Sequence, residues 1–258
     1  MLRVKDKVVL VTGGSRGIGE MIATGFVQGG AKVYISSRSA KACHLVAEKL
    51  NKLGPGRCIA LPADIQQLDQ VKALVTQLEK HETHLDVLIN NAGAAWAAPI
   101  DTYPDSAFQK VMNLNVNRVF SLIQACLPLL RAKASSSKPS SIINIGSING
   151  IQPPGVETYA YPASKAALHH LSRHLAARLG KEHILVNTVA PGPFPSKMTA
   201  ETLKKHGDTI VASVPLGRVG EPEDIAGTCI YLASRAGQYT SGAIIAVDGA
   251  ALCHRAHL

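Results

Sequence analysis

Seven short runs rich in β-branched residues recur along the chain: KVVLVTG, AKVYISS, RCIALPAD, HLDVLINNAG, SSIINIGS, ILVNTVAPG and AIIAVDG. The stretches between consecutive runs are long enough for helices, and strands joined by such crossovers lie parallel, because a tight hairpin can only make antiparallel neighbours. The runs are largely continuous in apolar character, the pattern of strands buried on both faces. The sequence therefore predicts an α/β fold: a doubly wound, parallel seven-stranded sheet with helices on both faces. Helices are expected at 17–29, 40–53, 66–82, 105–131, 159–181, 199–206 and 222–234. The Ser-rich stretch 134–141 reads as a helix-to-strand loop. No internal repeat or second periodic regime divides the 258 residues, so a single domain over 1–258 is expected.

Hydrophobic residues make up 46% of the chain and charged residues 17%, a balance that excludes intrinsic disorder. No run of about 18 uninterrupted apolar residues occurs, so no membrane span is expected. Charges at Arg3, Lys5, Asp6 and Lys7 precede the first apolar run, without the apolar core and cleavage site of a secretory signal. A soluble, intracellular protein is expected. Cys43, Cys58, Cys126, Cys229 and Cys253 form no CxxC pair and are odd in number, so they read as reduced, mostly buried thiols. The net charge of +9 calls for an anionic partner. Nucleic acid is disfavoured, since there is no basic tract of five or more residues and aromatics, at 4%, are too sparse for a stacking platform. The other anion is a phosphorylated cofactor or substrate.

The first run ends in Thr12-Gly13-Gly14-Ser15-Arg16-Gly17-Ile18-Gly19 and opens directly into the apolar stretch EMIATGFV. Glycines at a strand-to-helix turn allow a tight bend and close backbone approach, so the unpaired N–H groups and positive end of the helix can face a pyrophosphate. In a dinucleotide fold the residue ending the second strand distinguishes a free ribose 2′-hydroxyl, met by a carboxylate, from a 2′-phosphate, met by a cation. Lys32-Val33-Tyr34-Ile35-Ser36-Ser37-Arg38 carries no acid at its end, and Arg38 with Arg16 can clamp a phosphate between guanidinium forks. NADP(H) is the expected cofactor. In Tyr161-Pro162-Ala163-Ser164-Lys165 a spacing of four puts phenol and ammonium on one helix face. A free phenol titrates near pH ~10, so Lys165 is expected to lower the Tyr161 pKa to a useful range. Ser147, just after SIINIG, can donate a hydrogen bond to a carbonyl oxygen as it gains negative charge. Tyr159 competes as the phenol, but four residues on from it stands Ala163.

In order, TGGSRGIG at 12–19, Asp64, NNAG at 90–93, Asn115, Ser147, YPASK at 161–165 and Pro191-Gly192 resemble the short-chain dehydrogenase/reductases over essentially the whole chain. The resemblance implies a Rossmann-type fold and a nicotinamide-dependent carbonyl reductase or alcohol dehydrogenase. It implies Tyr161 as general acid or base and Lys165 as holder of the nicotinamide ribose. Ser147 would orient the carbonyl, and Asn115 would keep a water in a proton relay to Lys165. The implied cofactor-binding set adds Gly13, Ser15, Arg16, Gly17, Ile18, Gly19, Ser37, Arg38, Asp64, Ile65, Asn91, Ala92, Gly93, Pro191, Gly192, Phe194 and Ser196. Asp64 matches the residue near the adenine, and 191–196 matches the segment lining the nicotinamide, with the Phe194 backbone at the carboxamide. Ser196 stands where the family often has Thr. The family's VDGG is here Val247-Asp248-Gly249-Ala250, which puts the geometry of that turn in question.

Within the family, the wording TGGSRGIG, LNV, INIGS, APGPFPSKMT and GRVGEPEDIAG is most similar to ketoacyl reductases, especially the rhamnolipid-pathway type. A 3-oxoacyl thioester on an acyl carrier or coenzyme A is the expected small-molecule carbonyl substrate. Residues 194–217, with Lys197, Lys204 and Lys205 and with Arg218 at the exit, are expected to form a lid that meets such a carrier. A homodimer or homotetramer built on the 105–131 helix and the one after Tyr161 is implied as well. Two rivals stand beside this reading: a dehydrogenase of a steroid, polyol or xenobiotic carbonyl, and a non-catalytic NADP-binding regulator. A regulator needs the glycine turn but not the Ser147, Tyr161 and Lys165 set.

His170 and His174 lie four apart, but no HExxH or nearby carboxylate completes a ligand set, so no metal is expected. The terminal Ala256-His257-Leu258, preceded by His254 and Arg255, resembles a variant of a receptor-read peroxisomal address. In a eukaryote this implies the peroxisome, and in a bacterium the cytoplasm.

Overall fold

A computed structural model describes residues 1–196 and 200–253, without the side chains of 200–203, 205 and 206. The seven β-branched runs form seven strands: β1 Val8–Thr12, β2 Lys32–Ser36, β3 Arg57–Ala60, β4 Val87–Asn90, β5 Ser140–Ile145, β6 Ile184–Pro191 and β7 Ile244–Val247. They pair in parallel in the order β3-β2-β1-β4-β5-β6-β7. Between them run α1 Gly17–Gln28, α2 Ala40–Leu50, α3 Leu68–Glu79, α4 Asp105–Met112, α5 Arg118–Arg131, α6 Ala160–Leu179, α7 Ala200–Ala212 and α8 Pro222–Ala233.

Successive strand residues point to opposite faces, and both faces are covered. Val9, Val11, Val33, Ile35 and Ile89 pack with Ile22 and Phe26 of α1, Leu50 of α2 and Ile225 of α8. Val8, Leu10, Tyr34, Leu88 and Ile142 pack with Leu74 of α3, Leu122 of α5 and Leu168 of α6. Each such side chain taken fully from water contributes about 1.5–3 kcal/mol before entropy is counted. The sheet order reverses between β1 and β4, so the connections leave the carboxyl ends of these two strands in opposite directions. A crevice opens where they part.

The expected helix over 105–131 is interrupted. A π-helical turn, Asn113–Asn117, separates α4 from α5. Such a turn inserts one residue into the helical ladder and commonly marks a functional position. Here it turns Asn115 inward to 1% exposure. Helix α7 runs to Ala212 rather than stopping near 206, with Gly207, a poor helix former, inside it. Four of the cysteines are buried, and Cys253 is exposed. No described helix is long and apolar enough to cross a membrane.

Ala250 adopts φ +69°, a left-handed conformation that costs a residue with a Cβ about 1–2 kcal/mol. The Asp248 carboxylate holds the turn there, accepting the N–H groups of Ala250 at 3.1 Å and Leu252 at 2.9 Å. Ala250→Gly is expected to stabilise the protein by about 0.5–1 kcal/mol, net of glycine's greater unfolded-state entropy. Thermal unfolding should show a midpoint rise of roughly 1–4 °C. A lower midpoint would show that the turn carries no such strain.

Candidate active site

A cleft of about 790 Å³ follows the carboxyl ends of the central strands, with Arg16, Arg38 and Asp64 toward one end and Ser147, Tyr161 and Lys165 toward the other. Its floor begins at the glycine turn after β1, where Gly13 has φ +65° and Gly17 φ +53°. A Cβ on Gly19 would lie 2.3 Å from the Gly13 carbonyl oxygen and 2.4 Å from Asn91 Nδ2, so only glycine lets α1 approach the strand end this closely. Thr12 ties β1 to β4: its Oγ1 accepts the N–H groups of Asn91 at 3.1 Å and Ala92 at 3.2 Å. In return Asn91 Nδ2 donates to the carbonyls of Thr12 at 3.0 Å and Gly13 at 3.3 Å. The Arg16 side chain makes no capping hydrogen bond to α1 among the described residues, and Gly17 and Ile18 of the first turn line the cleft. Uncapped first-turn N–H groups at such a place suit an anion.

Arg16 and Arg38 are exposed, and neither makes an ion pair with a carboxylate among the described residues. Beneath them Ser15 Oγ donates to Ser37 Oγ at 2.8 Å, and Ser37 Oγ lies 3.0 Å from Cys43 Sγ. Asp64 shapes the adjacent turn, its Oδ1 accepting the Gln66 N–H at 3.1 Å.

At the far end Ser147 follows β5 in extended conformation, and its Oγ accepts the Asn149 N–H at 3.1 Å. Tyr161 stands in the first turn of α6. Burial pushes its phenol pKa up, and a hydrogen bond with the Ser147 side chain works against that rise. Lys165, 4% exposed, donates from Nζ to the Ile145 carbonyl at 2.7 Å and lies 5.6 Å from the centre of the Tyr161 ring. Burial brings its ammonium down to about 8. The helix spacing thus brings Tyr161 and Lys165 together as expected, but the expected lowering of the Tyr161 pKa by Lys165 is corrected. Desolvation dominates, Ser147 is the group that opposes it, and the ammonium spends a hydrogen bond on a strand-end carbonyl. Tyr159, the rival phenol, points its hydroxyl at Glu157 Oε1, 3.0 Å away.

All the sequence-predicted site residues line the cleft except Gly19 and Asn115, which stand behind its wall. Asn115 Oδ1 accepts the Ala94 N–H, and its Nδ2 donates to the Ala94 carbonyl and to Ser164 Oγ, each at 2.9 Å. Ser164 Oγ in turn donates to the Tyr161 carbonyl at 2.7 Å, so Asn115 braces the start of α6. Arg218 has a partner of its own. Its guanidinium pairs with Asp224 at 2.6 and 3.1 Å and lines a separate cavity of about 480 Å³ beside Val247 and Ala250. Lys204 is exposed, while Lys197, the Lys205 side chain and residues 254–258 lie outside the described residues.

Sequence reasoning gave no role to Thr12 or Ser164, although both stand inside the motifs it used. It also passed over His169, one helical turn beyond Lys165, in favour of His170 and His174. Both of those are exposed, and no metal-holding group of three or more ligands occurs among the described residues. His169 is 4% exposed. Burial first, and then the charge of Lys165, bring its imidazole down to about 4.

A family model described as enoyl-(acyl carrier protein) reductase matches residues 13–250. A short-chain dehydrogenase/reductase of Diaporthe leptostromiformis is 33% identical, covering 98% of this chain and 93% of its own length. The chain belongs to the short-chain dehydrogenase/reductase family. Within this family it is 48% identical to a rhamnolipid-biosynthesis 3-oxoacyl-(acyl-carrier-protein) reductase of Pseudomonas aeruginosa, covering 94% of this chain and 95% of the relative. It is 37% identical to a 3α-hydroxysteroid dehydrogenase of Mediterraneibacter gnavus, covering 97% and 98% of the two chains. Among solved structures, the RhlG/NADP active-site complex of Pseudomonas aeruginosa matches with a TM-score of 0.93 at 47% identity, covering 96% of this dehydrogenase/reductase and 97% of that chain.

Proposed function

We propose that this protein is an NADPH-dependent reductase that converts a ketone, foremost a 3-oxoacyl thioester on an acyl carrier or coenzyme A, to a secondary alcohol. The observation that carries the reading is one continuous cleft with Ser147, Tyr161 and Lys165 toward one end and, toward the other, two arginines with no carboxylate partner among the described residues. The residues present fit the cofactor. The glycine turn and the uncapped N-terminus of α1 suit the pyrophosphate, Arg16 and Arg38 suit the 2′-phosphate, and Pro191 to Ser196 flank the nicotinamide end. When bound, NADPH supplies a hydride to the carbonyl carbon.

The chain's own groups do the rest. Ser147 donates a hydrogen bond to the carbonyl oxygen and orients it. Tyr161 gives its phenolic proton to that oxygen as negative charge develops, so the C=O bond becomes CH–OH. Burial keeps the phenol protonated until that moment. Lys165 holds the ribose. Asn115, fixed by Ala94 and Ser164, keeps the relay water that returns a proton through Lys165. Residues 194–217 act as a lid within a single catalytic domain, with chain pairing into a dimer or tetramer.

Apolar Trp96, Val111 and Leu114 line the same cleft, and an apolar lining suits an acyl chain but also a steroid, so the 37% identical steroid dehydrogenase keeps that alternative in the test. The purified protein should be offered 3-oxoacyl thioesters, steroid ketones and sugar ketones with NADPH and with NADH. NADPH oxidation fastest with the thioesters is the expected result. Faster turnover of steroids would replace the substrate, and no turnover of any carbonyl would favour the regulator.

A further inference from the structure

We infer that His169 is a positioning residue for ketone reduction: its Nε2 accepts the backbone N–H of Ser147 and holds that serine's hydroxyl between Tyr161 and the carbonyl. The Ser147 amide nitrogen lies 3.4 Å from Nε2. A buried N–H needs an acceptor, and leaving it without one costs about 1–3 kcal/mol. The loop that carries Ser147 is shaped around the ring. A Cβ on Gly146 would come within 2.2 Å of Nε2, and one on Gly150 within 2.8 Å of Cε1. Glycine on both sides lets the turn close on the imidazole edge.

The placement follows from helix geometry. Tyr161, Lys165 and His169 are spaced four apart on α6, so one helix face presents the proton donor, its ammonium and the acceptor that fixes the serine. Ser147 comes from the end of β5, a different element, and has no rigid helix of its own. The side chain of His169 joins the two. To accept at Nε2 the ring must be neutral with its proton on Nδ1. Lys165 is the charged group that acts on it, and the loop Gly146–Gly150 and Thr188 of β6 bring no charge to the ring.

The inference rests on the reductase reading, and the test separates the two. His169→Gln places an amide oxygen near the position of Nε2, while His169→Met fills similar space without a strong acceptor. The Gln variant is expected to keep kcat within about threefold of the parent, and the Met variant to lose at least about tenfold in kcat. Thioester KM and the NADPH dissociation constant should stay within about twofold in both, since a serine aimed at developing charge acts on the transition state. Equal losses in the two variants, or a loss confined to NADPH binding, would overturn the role.

Nitrogen-15 spectra of histidine-labelled protein at pH 6 give a readout independent of turnover. Nε2 of His169 should carry the signature of an unprotonated acceptor, with the Ser147 amide shifted in the Met variant and not in the Gln variant. A protonated Nε2 overturns the inference with the reductase reading intact. An unprotonated, accepting Nε2 in a protein that reduces no ketone overturns the reductase reading, while the Ser147 contact stands.

Discussion

Tyr161→Phe is expected to lower kcat for ketone reduction by about 10²–10⁴-fold, the usual contribution of a positioned general acid, while NADPH binding changes by less than about twofold. The substitution removes one oxygen. The ring keeps its place in the first turn of α6, and Lys165 keeps its hydrogen bond to the Ile145 carbonyl at 2.7 Å. Ser147 can still polarise the ketone, so a residual rate should survive. What disappears is the proton that the alkoxide oxygen needs as hydride arrives. Single-turnover NADPH oxidation, with cofactor affinity measured by fluorescence titration, separates chemistry from binding. Full turnover by the Phe variant would remove Tyr161 from the mechanism.

Replacing both Arg16 and Arg38 by Ser should raise the KM for NADPH by at least about 10²-fold and leave kcat/KM for NADH nearly unchanged. Each charge-assisted contact to a phosphate is worth about 1.5–3 kcal/mol, reduced here because both side chains are exposed and screened by salt. Neither arginine has a carboxylate partner among the described residues, so their loss breaks no native ion pair and the melting temperature should hold. Arg38→Asp should go further, because a carboxylate there repels a 2′-phosphate and accepts a ribose 2′-hydroxyl. Steady-state kinetics with the two cofactors, at low and high salt, provide the check. An unchanged NADPH to NADH ratio in the double variant would refute the clamp.

Much of this architecture could be read from local pattern. Strands such as Val8–Thr12 and Val87–Asn90 are short apolar runs bounded by turn residues, and burial on both faces follows from parallel crossovers. The glycine turn and the Tyr161/Lys165 spacing were legible for the same reason: each is a chemical requirement met within about eight consecutive residues. The break in the 105–131 helix was not legible. Every residue of Asn113–Asn117 tolerates a helix, and the π turn takes its shape with Asn115 bonded to Ala94, 21 positions away. The pairing of Arg218 with Asp224, in the first turn of α8, was not legible either, because it depends on the bend that precedes the helix. The surplus of positive charge pointed to an anion, and the cleft gathers Arg16 and Arg38 where a phosphate can meet them.

By itself the sequence determined the succession of strands and helices along the chain, the glycine turn and the spacing of Tyr161 and Lys165, since these depend on period, spacing and residue chemistry. The tertiary structure alone decided how those side chains are tuned. Burial, set by packing from both sides of the sheet, raises the Tyr161 pKa and brings Lys165 down to about 8, reversing the shift that helix spacing suggested for the phenol. It also decided that Lys165 donates a hydrogen bond to the Ile145 carbonyl, that Asn115 stands behind the wall, and that His169 meets the Ser147 amide. Each of these contacts joins elements that are distant in the chain and are brought together by the crossovers. Dielectric environment and hydrogen-bond partner are properties of that assembled neighbourhood, not of any one segment.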